Sequence, residues 1–325
     1  MNMKLHFPNS AFLGNIDQFL ASFNTADKKA LSVTFNKNWI SVHPVVLSMT
    51  VALGLEVKGN GGSIEIEPLE AKSKHYLERM GMFRLLGIDL KIHMTDHEPS
   101  GRFIPVTRIT DSKELNKFLT EMVPLLHTNP AHAESIKYIM DEIVRNVLEH
   151  SRSRFGALVC AQYYQKSNSI KIGVADTGIG IKRSINMAHD ARNDGEAITL
   201  ALTPGVTGTT SKIGGGTEYN AGAGLFFIKS IAKVNRDFFA IYSGGCMYKL
   251  LKTPSSRRVE LKVNPLDDRH SMHEGLPYWQ GTVVGVDISL DASEEFGNLL
   301  GMIRAVYKKE IKEGAKMRFK RARFI

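Results

Sequence analysis

The chain is poor in cysteine and has no long apolar segment. Only Cys160 and Cys246 occur among its 325 residues, and neither stands at a metal-ligand spacing from another Cys or a His. This excludes a disulfide scaffold and a zinc-binding motif, and it predicts two reduced, buried thiols. No run approaches the roughly 18 apolar residues of a membrane-spanning helix. The first residues show no secretion-signal pattern either. We therefore expect a cytoplasmic protein without a membrane partner.

Two common nucleotide-binding motifs are also missing. The sequence contains no Gly-x-x-x-x-Gly-Lys-Ser/Thr, which argues against a P-loop fold. Gly178-Ile179-Gly180 begins like a dinucleotide fingerprint, but Arg183 stands where the third glycine would be. Any nucleotide site in this chain must therefore be of another kind.

The positive charge is concentrated at one end. The formal net charge is +9, and residues 304–325 carry +7 of it, with nine Lys and Arg against two Glu. Tyr307, Phe319 and Phe324 are interleaved with these cations. A segment of this composition can bind nucleic acid or an acidic protein, or remain a solvated or docking tail. The remainder of the chain is close to neutral.

Three short segments in the middle of the chain carry the strongest functional pattern. Glu142 and Asn146 are four residues apart in a predicted helix over 131–152, so both project from one face. Asp176 ends an apolar run and is followed by Gly178 and Gly180, which let backbone approach a ligand closely.

The third segment opens a predicted helix over 224–234. It reads Gly222-Ala223-Gly224-Leu225, and backbone N–H groups at such a start can hold phosphate oxygens. Two carboxylates, an amide and a phosphate cradle together suit a magnesium nucleotide.

In order and spacing these segments resemble the asparagine box and the first two glycine boxes of the GHKL ATPase family. That family includes gyrase B, MutL, the sensor histidine kinases and the anti-sigma-factor kinases. Gln280-Gly281-Thr282-Val283 resembles the family's third glycine box. The resemblance covers roughly residues 110–292, and it implies ATP and Mg²⁺ as ligands.

The resemblance also implies a role for each matching residue. Glu142 would be the catalytic base that activates water, and Asn146 would coordinate magnesium. Asp176 would accept a hydrogen bond from the adenine amine, supported by Thr282. The remaining candidates would shape the turn under the base or contact the phosphates, and they are Gly178, Gly180, Lys212, Gly222, Gly224 and Leu225.

The expected fold is an α/β protein with a Bergerat-type two-layer sandwich over residues 105–292. The long polar interval 181–221 corresponds to the ATP lid of the family. Residues 1–100 read as a small α/β module that resembles STAS-type domains, and 293–325 as a helix with a basic tail. Within this plan we expect strands at 30–35 and 62–66, with helices at 44–55 and 69–86.

Several functions stay open at this stage. The first is an ATPase that hydrolyses ATP with Mg²⁺ and uses lid closure as a switch on a protein partner. The second is a Ser/Thr protein kinase of the anti-sigma type, acting on a STAS-like partner or on the N-terminal module. The third is a non-catalytic nucleic-acid-binding protein stabilised by nucleotide. Histidine-kinase chemistry is disfavoured because Glu149 stands where those kinases usually carry Lys. A homodimer is also left open.

Overall fold

The fold is known from a computed structural model. It describes residues 3–23, 29–89, 103–121, 123–126, 128, 130–206, 208, 224–291 and 296–321, with side chains to Lys312 in the last segment. The N-terminal elements are β1 (Met3–Phe7), β2 (Ser10–Ala11), α1 (Ile16–Ser22), β3 (Ala30–Phe35), β4 (Ser41–Val42), α2 (Pro44–Gly59), β5 (Ser63–Ile66), α3 (Lys74–Arg79) and α4 (Met82–Leu85).

The remaining elements alternate less regularly between strand and helix. They are β6 (Phe103–Ile109), α5 (Ser112–Glu121), α6 (Pro130–Asn146), β7 (Ala157–Tyr164), β8 (Ser169–Ala175), α7 (Gly180–Ile185), α8 (Asp194–Ala201), α9 (Gly224–Val234), β9 (Phe239–Gly244), β10 (Cys246–Leu250), β11 (His270–His273), β12 (Trp279–Ser289) and α10 (Phe296–Arg321).

The N-terminal strands β1, β3 and β5 form a small parallel sheet. The predicted strand, helix and strand over 30–66 are confirmed, and α2 extends four residues beyond its predicted end. The predicted helix over 69–86 instead divides into α3 and α4. Gly81 separates them in a left-handed conformation with φ +74°, which a continuous helix cannot contain.

A seven-stranded antiparallel sheet forms the centre of the molecule, in the order β11-β10-β9-β12-β8-β7-β6. Side chains alternate between its faces, as the strand period requires. In β7, Val159 packs into the core beneath α6 and α9, whereas Leu158 and Cys160 pack into the core that includes α2. Helices therefore cover both faces of this sheet.

The cover on the second face comes from the N-terminal part of the chain, outside residues 105–292, for which the two-layer sandwich is expected. Helix α2 lies across β7, β8 and β12 on the face opposite α6 and α9. Gly173 and Gly285 are paired across β8 and β12, and a Cβ on Gly173 would lie 2.1 Å from the backbone nitrogen of Val45. Gly173 thus lets the start of α2 lie directly against the sheet backbone, which makes a third layer, whereas a Cβ on Gly285 would lie 2.7 Å from the side chain of Leu13.

A buried ion cluster holds this end of α2. The Nδ1 atom of His43 accepts from the backbone N–H of Val45 at 3.1 Å, so the N–H of the ring is on Nε2. That atom donates to Asp287 at 3.1 Å, and Lys171 donates to the other carboxylate oxygen at 2.7 Å. All three ionisable groups are buried. The cluster joins residues 43–45 to β8 and β12.

The helices around the predicted site differ in detail from expectation. The predicted helix over 131–152 is α6 followed by a π-helical turn, Val147–Ser151, which ends at Arg152 with φ +52°. After α5, Pro124 does not allow the helix to continue, and Val123–Leu126 forms a 3₁₀ turn.

The predicted lid interval is not a continuous loop. Its described part contains most of α7 and all of α8, while residues 207 and 209–223 lie outside the described residues. The boundary predicted near residues 100–105 also falls largely in residues that the structure does not describe, 90–102. The division into domains therefore stays a prediction.

The cysteines and the helix lengths bear on two of the sequence predictions. Cys160 and Cys246 are both free and buried, as predicted. Among the described residues, no helix has the length and apolar character that crossing a membrane would require.

The close approach at Gly173 makes a quantitative prediction. Gly173→Ala places a methyl group against the backbone of Val45, which cannot move aside without shifting α2. We expect the free energy of unfolding to fall by about 3 kcal/mol. The matched control is Gly301→Ala in α10, where a Cβ meets open space and helix propensity favours alanine by up to ~1 kcal/mol. Equal stabilities of the two variants in urea titrations would contradict this packing.

Candidate functional site

The start of α9 meets one face of α6. Glu142 and Asn146 lie one turn apart on α6, and Gly224 is the first residue of α9. A Cβ on Gly224 would lie 2.5 Å from Oε2 of Glu142 and 3.5 Å from Nδ2 of Asn146. Residues separated by about eighty positions therefore converge, and only glycine at 224 leaves the carboxylate in place.

The Glu142 carboxylate sits in an environment that disfavours its charge. It is half-buried, and this burial raises its pKa above the ordinary value. The neighbouring Asp141 carboxylate acts in the same direction, while the Arg145 guanidinium opposes it. Arg145 itself is engaged with Asp141 at 2.7 Å and 3.0 Å. A carboxylate of this kind accepts a proton more readily than a solvated one.

Asn146 carries an unsatisfied polar atom. Its Nδ2 is buried and has no hydrogen-bond partner. A buried amide group without a partner costs about 1–3 kcal/mol, so the atom calls for an explanation, and a ligand, ion or water that binds there is one. Since amide oxygen and nitrogen exchange places by rotation, the same position can present Oδ1.

The residues here fit a magnesium nucleotide. An unpartnered amide, a half-buried carboxylate and a glycine at a helix start face one another. Among the described residues no group of three or more His, Cys, Asp or Glu is placed to hold a metal ion. A magnesium ion here would take the Asn146 oxygen and complete its shell with phosphate and water oxygens.

Both carboxylate oxygens of Asp176 accept hydrogen bonds from the backbone. One oxygen accepts from the backbone N–H of Gly178 at 2.7 Å, and the other from that of Thr282 at 3.2 Å. Trp279 donates its indole N–H to the Asp176 carbonyl at 3.0 Å. The side chain is fully buried, and burial raises its pKa to about 7, against the lowering effect of the two backbone donors.

Thr282 contacts Asp176 through its backbone. Its N–H donates to the Asp176 carboxylate, and its carbonyl accepts from the Asp176 N–H at 2.9 Å. Gly281, at φ +103°, brings this strand so close that a Cβ would lie 2.2 Å from the Asp176 carbonyl oxygen. Residues 176–180 and 280–283, which resemble the first and third glycine boxes, are thereby fixed to each other.

The glycine turn, residues 176–180, also packs against the end of the π-helical turn. Ile179 donates its N–H to the Ser151 carbonyl at 2.7 Å, and a Cβ on Gly178 would lie 2.0 Å from that same oxygen. Gly180 adopts φ +75° as α7 begins. The π-helical turn therefore connects the Asn146 helix to the glycine turn.

A cleft of about 900 Å³ opens beside the glycine turn. Gly178 and Gly180 line it, together with three cations that sequence reasoning did not select, Arg152, Lys182 and Arg183. Tyr278, whose side chain is 62% exposed, stands at its edge. The sequence signal for this basic lining was the pair Lys182-Arg183, which begins two residues after Gly180. Asp194 also lines the cleft, so its charged lining is three cations against one carboxylate, which suits an anionic ligand with an aromatic or apolar part.

Three predicted site residues, Leu225, Lys212 and Gly222, remain to be placed. Leu225 lies in the first turn of α9, where it packs against the core. Lys212 and Gly222 lie outside the described residues, so their predicted phosphate contacts stay predictions.

No protein-family model matches the chain, and no curated protein matches it. The resemblance to the GHKL family therefore rests on the four sequence segments that resemble its boxes, and family membership stays a prediction.

Proposed function

We propose that the chain binds ATP with Mg²⁺ and hydrolyses it. The observation that carries this proposal is the meeting of Glu142, Asn146 and Gly224, with a buried amide that lacks a partner. The Bergerat-type fold and GHKL membership belong to the same proposal. They are supported by the order of the boxes along the chain and by the contacts that join them.

The roles follow from the position of each residue. Asp176, which is fully buried in the protein without ligand, accepts a hydrogen bond from the exocyclic amine of adenine when the base binds. Asn146 presents an oxygen to the metal, which supplies charge neutralisation at the phosphates when bound. The N–H groups that begin α9 hold phosphate oxygens.

Glu142 performs the proton transfer. It orients a water and accepts its proton as the water oxygen bonds to the γ-phosphorus. The bond from that phosphorus to the β–γ bridging oxygen breaks, which gives ADP and phosphate. Burial of Glu142 favours this step, because it raises the affinity of the carboxylate for the proton.

The output of the site is proposed to be a conformational switch. Nucleotide binding closes the interval 181–221 as a lid and so changes a protein interface. If a Ser or Thr hydroxyl of a STAS-like partner replaces the water, the same geometry gives a protein kinase. Labelled phosphate from γ-labelled ATP separates the two, because it appears either free or on protein.

A second candidate function concerns α10. Its first turns are anchored by Phe296, Leu299 and Ile303, while Arg304 and Lys308 are exposed at a four-residue spacing that continues at Lys312. Cations at this spacing lie along one side of a helix. The row of cations Arg304, Lys308 and Lys312 supports binding to nucleic acid through contacts with its phosphates.

The first prediction separates catalysis from binding. Glu142→Ala should lower ATP turnover by at least about 100-fold and leave the Kd for MgATP within threefold, since Glu142 acts on the attacking water. Asn146→Ala should instead weaken MgATP binding by roughly tenfold or more, and weaken ATP binding without metal much less. Calorimetry and phosphate release measure the two quantities.

Glu134→Ala is the matched control, because Glu134 is exposed on the same helix and the charge change is the same. It should bind and hydrolyse ATP like the parent protein. Parental turnover in Glu142→Ala would place the base elsewhere. Equal loss of binding in both site variants would show a structural role for this face of α6.

The second prediction concerns pH. Asp176 has a pKa of about 7 in the free protein, and an amine donor from adenine favours the charged carboxylate. Binding therefore releases a proton near neutral pH, so affinity should fall as pH drops from 8 to 6. Below the free-state pKa the loss approaches about tenfold per pH unit.

Asp176→Asn tests the assignment of this pH dependence. Its amide presents a donor where an acceptor is needed, which costs roughly 1–3 kcal/mol, or about 5- to 150-fold in affinity. It should also remove the component of the pH profile that belongs to Asp176, whereas Asp190→Asn at an exposed site should keep it. A profile that is unchanged by Asp176→Asn would refute the adenine contact.

The third prediction tests α10. Replacing Arg304, Lys308 and Lys312 by Gln should weaken binding to double-stranded DNA and reduce the slope of log affinity against log salt by up to about 2.7. The control removes the same charge at the exposed Lys4, Lys37 and Lys72. If both triple variants lose affinity equally, net charge alone explains the binding and α10 is not the nucleic-acid surface.

A further inference from the structure

Helix α2 extends from the buried ion cluster at its start to the candidate nucleotide site at its end. All its residues from Pro44 to Gly54 are buried, as is Val57. Ser48 donates to the Gly173 carbonyl at 3.1 Å, which fixes the helix along β8 as well as at its first turn. Since β8 leads directly into Asp176, the same strand carries both the attachment of α2 and the glycine turn.

The end of α2 contacts the glycine turn through a side chain. Glu56 accepts from the hydroxyl of Thr177 at 3.2 Å. Thr177 is buried and lies between Asp176 and Gly178, the two residues joined by the 2.7 Å hydrogen bond. The other oxygen of Glu56 accepts from the amide of Asn60 at 3.2 Å, so the carboxylate is held on α2 itself.

A second contact joins α2 to the other side of the candidate site. Arg154 donates to the carbonyl of Gly59 at 2.8 Å, at the point where the last carbonyls of α2 need partners. A Cβ on Gly59 would lie 2.6 Å from the ring of Phe155. Arg154 and Phe155 follow the π-helical turn whose Ser151 carbonyl holds Ile179.

We propose that α2 positions the nucleotide site, with Glu56 as the positioning residue. Glu56 holds Thr177, and Thr177 fixes the glycine turn so that Asp176 and Gly178 keep the geometry that receives the base. Because α2 belongs to the N-terminal part of the chain, nucleotide binding is coupled to that part through this contact. The inference rests on the proposed nucleotide binding and names its internal regulator.

The contact is placed to act on binding and not on phosphoryl transfer. Glu56 and Thr177 touch the turn under the proposed base, whereas Glu142 lies on α6 at the proposed phosphate end. Loss of the contact should therefore raise the KM and Kd for MgATP and leave kcat nearly unchanged.

The test is a double-mutant cycle on MgATP affinity, measured by calorimetry on the full chain. Glu56→Ala and Thr177→Val should each weaken binding by roughly 5- to 10-fold, the effect of one hydrogen bond to a charged acceptor. The double variant should be no weaker than either single variant, because both remove the same interaction. In each case kcat at saturating ATP should stay within about twofold.

Two control variants separate positioning from general damage. Glu56→Gln keeps an acceptor oxygen for Thr177 and should bind within about twofold of the parent protein. Glu65→Ala removes an exposed carboxylate from β5 in the same part of the chain and should bind like the parent protein. Hydrogen exchange of residues 54–60 should slow when MgATP is added to the parent protein and to Glu65→Ala, but not to Thr177→Val.

The outcomes distinguish this inference from the function on which it rests. If the parent protein does not bind MgATP, the proposed function fails and the inference fails with it. If the parent protein binds but Glu56→Ala and Thr177→Val bind equally well, the function stands and the positioning role is wrong. Additive losses in the double variant, or a loss in Glu56→Gln as large as in Glu56→Ala, would also overturn it.

Discussion

The close approach of α2 to the backbone of the central sheet is the constraint on which the rest of the structure depends. Gly173 leaves no side chain between the start of α2 and β8, since a Cβ there would lie 2.1 Å from the backbone nitrogen of Val45. Packing of this kind tolerates no added methyl group, because interiors are as dense as organic crystals. It determines the third layer, the line of α2 along β8, and hence the position of Glu56 beside the glycine turn.

Buried charges make this attachment specific. Removing one partner of a buried ion cluster leaves an uncompensated charge, so His43, Lys171 and Asp287 favour one arrangement over slipped alternatives. Burial lowers the pKa of His43, against the opposing effect of Asp287. Below the unfolded pKa of about 6.5 the unfolded chain then binds a proton that the folded chain does not. This residue therefore contributes a loss of stability as pH falls through that range.

The candidate site combines rigid and incomplete parts. Asp176 has both carboxylate oxygens engaged by backbone N–H groups, and glycines at 178 and 281 bring that backbone close. Asn146, in contrast, keeps a buried amide atom without a partner. A fixed end at the proposed base and an unsatisfied end at the proposed phosphates are what a site needs if the ligand is to complete it.

The sequence by itself determined the local elements and the composition of the candidate site. Hydrophobic period and glycine placement predicted β3, α2 and β5 closely, and four-residue spacing placed Glu142 and Asn146 on one face. Only the tertiary structure decided that Gly224 would meet both residues, that α2 would cover the second face of the sheet, and that Arg152 and Arg183 would line a cleft. The reason is physical: period and propensity act over a few residues, whereas these contacts join segments that are distant in sequence, and the fit of α2 against Gly173 exists only once β8 is part of the sheet.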